Sequence, residues 1–223
     1  MKIGIIVAMD KELNLLLPLL SNASRTTIND TIFHTGTLDN RQVVILKSGI
    51  GKVNAAVATL TLIENFHVSF VINTGVAGGT GQGTNILDVV IGDRVAYHDV
   101  WCGPGTTDGQ AAGCPAFFEA PFSAATLDSI PGTRHGLIAS GDIFVSRPED
   151  ISRILSLDPD AIAVDMESAA IAQVCHLKNV PFLAVRVVSD TPGQADNISQ
   201  YENFWDDAPR EAFTVLRQIL NIL

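Results

Sequence analysis

"PFLAVRVVSD", residues 181–190, is apolar at almost every position from Phe182 to Val188, and a single arginine stands inside the run. A strand with one wet face alternates apolar and polar residues, whereas a strand covered on both faces has no need to. The run therefore predicts a buried strand in a sheet with helices on each side. Six further stretches fit as its neighbours: "KIGIIVAM" at 2–9, "QVVILKSG" at 42–49, "VSFVINTG" at 68–75, "DVVIGDRVAYHD" at 88–99, "GLIASGD" at 136–142 and "AIAVDM" at 161–166. Helical patterns lie between them at 11–20, 52–65, 148–157, 167–178 and 201–222. "SRPE" at 146–149 has the spacing of a capping box, with proline where a missing N–H costs nothing. Phe204, Ala208, Ala212, Val215 and Ile219 form one apolar stripe on the last helix. These alternations predict one α/β domain over 1–223, built on a central mixed, mostly parallel twisted sheet.

The chain has 223 residues, of which 47% are hydrophobic and 17% charged, enough apolar material for such a core. A net charge of -10 repels phosphate backbones and anionic lipid, so neither nucleic acid nor a membrane is expected as a partner. The apolar segment Ile3 to Met9 is too short to span a bilayer, and Asp10, Lys11 and Glu12 follow it without a cleavage pattern, which makes the cytoplasm the expected location. Cys102, Cys114 and Cys175 show no CxxC spacing and the five histidines no HExxH pattern, so no metal is expected. The segment 101–122 has several glycines and three prolines and no usable period; a loop of that length is functional or mobile.

In open α/β sheets ligands bind at the carboxyl ends of strands, and here those ends are polar. Asp10 and Glu12 follow Met9; "TGVAGG" follows Asn73; Gly141, Asp142 and Phe144 follow Ser140; Asp165 and Glu167 end one run, Ser189 and Asp190 another. Parallel strands would bring these ends to one rim. Each residue also has a plainer reading: Ser189 and Asp190 suit a strand-ending turn, Glu12 suits the positive end of a helix, and Asp165 is a natural cap. Arg186 has no such reading, because a charge in a buried strand requires a partner. The glycine-rich stretch 73–83 matches neither GxGxxG nor GxxxxGK[ST], which disfavours a dinucleotide or ATP cofactor.

Taken in order and spacing, "IGIIVAMDKE", "LKSGIGKVNAA", "INTGVAGG", "YHD", "SGDIFV", "AVDMESAAIAQVC" and "PFLAVRVVSD" resemble the 5'-methylthioadenosine/S-adenosylhomocysteine nucleosidases of the nucleoside phosphorylase superfamily, from Lys2 to about Phe213. The resemblance implies a three-layer α/β/α fold, a homodimer, and cleavage of a nucleoside's adenine–ribose bond by water as co-substrate, with no cofactor. Carried over by position, Glu12 is the general base toward water and Asp190 the acid toward N7 of the departing purine. Ser189 holds Asp190, Phe144 stacks on the adenine, and the Val145 backbone bonds its edge. Glu167 accepts from the ribose hydroxyls and Met166 packs beneath the sugar. Met9, Ile50 and Val76 line the pocket with Ala77 and Gly78; Asp165 stands beside it; Arg186 is a supporting charge near Glu167 or the water. The segment after Asp190 resembles a lid, with Tyr201 or Phe204 as the covering aromatic. The family often has glutamate at position 165 and serine at 76, and it differs more over 101–122, where the 5' substituent and the dimer partner meet.

The chemistry asks for the same division of labour. Breaking an N-glycosidic bond builds positive charge on the ribose and negative charge on the base, so an acid is wanted at one end and carboxylates at the other. Alternatives of other kinds are a phosphate-dependent nucleoside phosphorylase, a futalosine-type nucleosidase, and a catalytically inert nucleoside-binding protein.

Overall fold

The computed structural model describes residues 1–205 and 211–223. Its sheet is organised around β1 (Lys2–Val7), which pairs in parallel with β4 (Arg41–Lys47) on one side and β5 (Phe70–Gly79) on the other. Beyond β4 lie two antiparallel strands, β3 (Thr31–Leu38) and β2 (Ser21–Ile28). On the other side β5 pairs in parallel with β10 (Phe182–Asp190), and β10 pairs antiparallel with β6 (Val89–Tyr97). β6 is parallel to β8 (Thr133–Ser140), β8 is parallel to β9 (Ala161–Asp165), and β9 returns antiparallel to β5. Five strands thus close a ring. The two-residue strand β7 (Phe118–Glu119) pairs with β6 at its edge.

The sheet is mixed as expected, yet it is not mostly parallel: among the described residues parallel and antiparallel pairings are equally frequent. Strands β6, β8 and β9 run against β5 and β10, so a shared direction is not what brings their ends together. The curl of the sheet does so, and β5 is where it turns. Phe70 to Asn73 of β5 pair with β1 and Val71 to Gly78 with β10, while Gly78 and Gly79 also pair with Val164 and Ala163 of β9. A side chain at Gly78 would place its Cβ 2.5 Å from Pro192 Cγ and 3.1 Å from Val164 Cγ2, so closure needs a glycine there.

Both faces of the sheet are covered. Ile6, Val44 and Leu46 pack against α2 (Lys52–Phe66) and α5 (Ser168–Lys178), where Ala55, Ala58, Ala169 and Ala172 allow close approach. The alternate residues Ile3, Ile5, Val7, Val43 and Ile45 face Leu13 and Leu16 of α1 (Asp10–Leu16), Leu127 of α3 (Ala124–Asp128), and Leu216, Ile219 and Leu220 of α7 (Glu211–Ile222). Each fully buried Ile or Leu contributes roughly 1.5–3 kcal/mol to the fold, and β1 gives such residues to both sides. α4 (Pro148–Leu157) packs Ile154 on Leu137 and Ala139 of β8.

Two expectations are corrected at helix ends. α4 starts where expected, with Pro148 in its first turn, but its N-cap is Arg147, so Ser146 does not cap it. The pattern at 201–222 corresponds to α6 (Asn197–Phe204) and α7; of the expected stripe, Ala208 and the side chain of Ala212 lie outside what the structure describes. No described helix is long and apolar enough to cross a membrane.

Candidate active site

A cleft enclosing about 600 Å³, part of it open to solvent, lies where β5, β9, β10, the start of α1 and the segment after β8 converge. Glu12 and Asp190 both line it. So do Met9, Ile50, Val76, Ala77 and Gly78 on the β1, α2 and β5 side, Phe144 and Val145 after β8, Asp165, Met166 and Glu167 at the β9–α5 junction, and Ser189. Arg186 is not among the residues that line it and stands behind them as a supporting charge near Glu12 and Glu167.

Glu12 sits in the first turn of α1, where the carboxylate reaches back to the backbone entering the helix. Its Oε2 accepts from the Ala8 N–H at 2.8 Å and the Met9 N–H at 2.9 Å, and its Oε1 accepts from Val76 N–H at 3.1 Å. Burial raises its pKa above the usual range; the Met9 N–H, the Arg186 charge and the other two N–H groups oppose the rise without cancelling it. Gly75 makes the arrangement sterically possible, because a Cβ there would lie 2.3 Å from Glu12 Oε1. Nothing in the sequence shows that the group approaching Gly75 is the protein's own glutamate.

Glu167 is the N-cap residue of α5, and its Oε1 accepts from Gly51 N–H at 2.9 Å, at the start of α2. Burial first, and then the Asp165 carboxylate, push its pKa up to about 7; the Gly51 N–H and the Arg186 charge act the other way. Asp165 ends β9 and accepts from Ser168 Oγ at 2.9 Å and from Arg186 Nε at 2.9 Å. Arg186 is 2% exposed and also donates to Asn73, through NH1 to its carbonyl at 3.1 Å and through NH2 to its side-chain oxygen. The buried charge thus has its partner, and that partner is Asp165 rather than Glu167.

Asp190 ends β10 and is 3% exposed. Ser189 Oγ donates to its Oδ1 at 2.6 Å, and Asn197 Nδ2 donates to its Oδ2. Burial raises its pKa, with the Ser189 and Asn197 bonds pulling it back. Across the mouth, the Tyr201 hydroxyl donates to Met9 Sδ at 3.4 Å, and its ring stands edge-on to Phe144 with centroids 5.4 Å apart. Phe204 is buried in the core instead, so of the two aromatics only Tyr201 reaches the cleft. The spacing of Asn197 and Tyr201, one helical turn apart, was the available sign that both belong to one face. Ala8, Ile143, Val164 and Pro192 also line the cleft, and nothing in their residue types announced it. Among the described residues, no group of three or more His, Cys, Asp and Glu is placed to hold a metal ion.

The family model of the phosphorylase superfamily matches residues 2–221. A 5'-methylthioadenosine/S-adenosylhomocysteine nucleosidase of Anoxybacillus flavithermus is 42% identical over an alignment covering 100% of this chain and 99% of that protein. The chain belongs to the 5'-methylthioadenosine/S-adenosylhomocysteine nucleosidase family. Its fold agrees with that of the Streptococcus pneumoniae nucleosidase in complex with 8-aminoadenine, at a TM-score of 0.92 and 40% identity over 100% of both chains. The futalosine hydrolase of Helicobacter pylori has the same fold, with a TM-score of 0.91 and 28% identity over 100% of this chain and 98% of that one. The nucleosidases and a futalosine hydrolase therefore share one scaffold, and side chains rather than the fold must separate them.

Proposed function

We propose that this protein hydrolyses the N-glycosidic bond of 5'-methylthioadenosine and S-adenosylhomocysteine, and of 5'-deoxyadenosine, releasing adenine and the 5'-substituted ribose. The observation that carries the reading is the placement of Glu12 and Asp190 on one cleft. Glu12 accepts from Val76 of β5, and Asp190 stands in register with Gly78 of the same strand. Both carboxyls thus reach the cleft beside the same stretch of β5, where an acid and a base can flank one bound nucleoside.

In the mechanism, Asp190 enters with its proton retained by burial and delivers it to N7 of the adenine, so the base leaves neutral. Ser189 orients the carboxyl. Glu12, a stronger base than an exposed carboxylate, takes a proton from the attacking water as it reaches the anomeric carbon. Glu167 accepts from the ribose hydroxyls, Met166 supports the sugar, and Phe144 and Tyr201 enclose the adenine side. Arg186 touches none of these atoms: it holds Asp165 and lends positive potential to Glu12 and Glu167.

Hydrolysis is favoured over phosphorolysis by what occupies the anion-binding donors. The Val76 N–H of the glycine segment is taken by Glu12 itself, and no lysine or arginine lines the cleft among the described residues. A phosphate would meet carboxylates. The helices on both faces fit the three-layer α/β/α arrangement of the nucleoside phosphorylases. The exposed stripe Val53, Val57 and Leu60 on α2 fits a homodimer, and the reading places the enzyme in the cytoplasm.

The test is product analysis in phosphate-free buffer with methylthioadenosine, S-adenosylhomocysteine and futalosine offered separately. Adenine and free sugar from the first two are expected. Sugar phosphate formed only when phosphate is added, or turnover of futalosine alone, would overturn the reading. Glu12→Gln and Asp190→Asn are each expected to reduce turnover at least 1,000-fold, on the order of 4 kcal/mol in the barrier, with the circular dichroism spectrum unchanged.

A further inference from the structure

Asp190 is bonded by two groups that differ in origin. Ser189 is its chain neighbour and moves with β10. Asn197 belongs to α6, seven residues on, and reaches Asp190 only when that helix is seated against the strand end. The Asn197 side chain is 2% exposed, yet its carbonyl oxygen has no partner among the described residues. It does not cap α6 either, since the N-cap residue is Asp196 and has no side-chain cap bond. Among the described residues, the one bond made by this buried side-chain amide therefore goes to Asp190.

Asn197 and Tyr201 stand four residues apart and so share a face of α6. One points at Asp190, the other closes on Met9 and Phe144. A second bond, from Thr191 N–H to Gln200 Oε1 at 2.8 Å, fastens the helix to the chain leaving β10. α6 thus carries both the aromatic cover and the second donor to Asp190.

We propose that Asn197 is a positioning residue for the acid: its amide N–H fixes Asp190 Oδ2 and stabilises the carboxylate left after proton transfer, so that Asp190 reaches full competence only beneath the seated α6 helix. The inference rests on the assignment of Asp190 as the acid. In the step itself, the proton on Asp190 passes to N7 while the glycosidic bond's electron pair passes to the purine. The resulting carboxylate then keeps two donors, from Ser189 and Asn197. Tyr201 is the titratable group of α6 facing Asp190, and Glu12 and Glu167 face Tyr201 from across the cleft. Burial keeps the Tyr201 hydroxyl above its ordinary range, and it stays neutral throughout.

The experiment uses Asn197→Leu, which keeps the bulk without the donor, and Asn197→Asp, which keeps the shape and adds a second carboxyl. The Asp190 carboxyl is titrated by carbon-13 NMR in the free protein, its signal assigned by its loss in Asp190→Asn, and kcat and KM for methylthioadenosine are measured across pH. In Asn197→Leu the Asp190 midpoint is expected to rise by about one unit, and kcat to fall about tenfold or more with KM within about threefold. In Asn197→Asp the midpoint rises further, because two carboxyls then compete for one site. An unchanged midpoint in folded Asn197→Leu or Asn197→Asp overturns the proposal, as does a loss confined to KM. The titration needs no substrate, so it stands apart from the reading of function, which fails instead if the wild-type protein releases no adenine.

Discussion

Glu167 illustrates how one buried side chain ties binding to pH. Its pKa is pushed from 4.5 to about 7, first by burial and then by Asp165. Because the folded value exceeds the unfolded one, the native state holds a proton that the unfolded chain releases between those limits. Its contribution to stability is therefore full below pH 4.5 and is lost as pH rises toward 7, on the order of 3 kcal/mol in all. Glu167→Gln is expected to flatten the pH dependence of urea unfolding across that window. The ionised form is the better acceptor for sugar hydroxyls, so KM should fall as pH rises through about 7 in the wild type and lose that dependence in the variant. Gly75 gives a second expectation at this scale. Its alanine variant would put a methyl 2.3 Å from Glu12 Oε1, and the carboxylate must move or β5 must shift. Turnover should drop at least 100-fold while the melting temperature falls by only several degrees, as calorimetry beside an activity assay would show.

Among the elements, α6 is tied to the core by Phe204 and to the cleft by Tyr201 and Asn197. Tyr201 closes the mouth by an edge-on ring contact and a bond to a thioether, and both are weak individually. Tyr201→Phe removes only the hydroxyl and should leave KM within about twofold. Tyr201→Ala opens the cleft to water and should raise KM about tenfold or more, read by steady-state kinetics with methylthioadenosine. How well the sequence announces an element depends on what covers it. β1, β5 and β10 are legible because both of their faces are buried, which writes apolar residues at successive positions. β2 is exposed over nearly its whole length, and six of its eight residues are Ser, Asn, Thr or Arg, so it sends no periodic apolar signal. Its evidence lies in the turn that follows it: Asn29-Asp30 takes positive φ at both residues, the conformation of a tight hairpin, as Asp39-Asn40 does between β3 and β4. α6 is hidden for another reason. Its residues are chosen for the cleft rather than the core, so Asn197 and Tyr201 carry no periodic apolar message, and the bond to Asp190 appears only when β10 and α6 are placed together.

At the scale of the whole molecule, the curl of the sheet explains why strands of opposite direction serve one cleft, and it leaves one helix face without a role inside the chain. On α2, Val53 is 74% exposed and Val57 is 56% exposed, with Leu60 on the same stripe and Ile50 just before it. Leaving four apolar side chains in water beside a binding site is unfavourable for an isolated chain, and burying them against a second copy removes that cost. The stripe adjoins the cleft, because Ile50 belongs to both. A partner seated on α2 would therefore extend the wall beside Ile50, at the open side of the site. Val57→Glu introduces a charge at the centre of that face without touching a residue of the cleft. Light scattering after size exclusion should show the wild type at twice the chain mass and the variant at the chain mass of 23.8 kDa. Catalysis separates this from simple unfolding. The monomeric variant should retain its circular dichroism spectrum but raise KM for S-adenosylhomocysteine, whose large 5' group needs the extended wall, more than for methylthioadenosine. A wild-type protein that runs as a monomer, or a variant that stays dimeric with both KM values unchanged, would remove α2 from the assembly and leave the cleft complete within one chain.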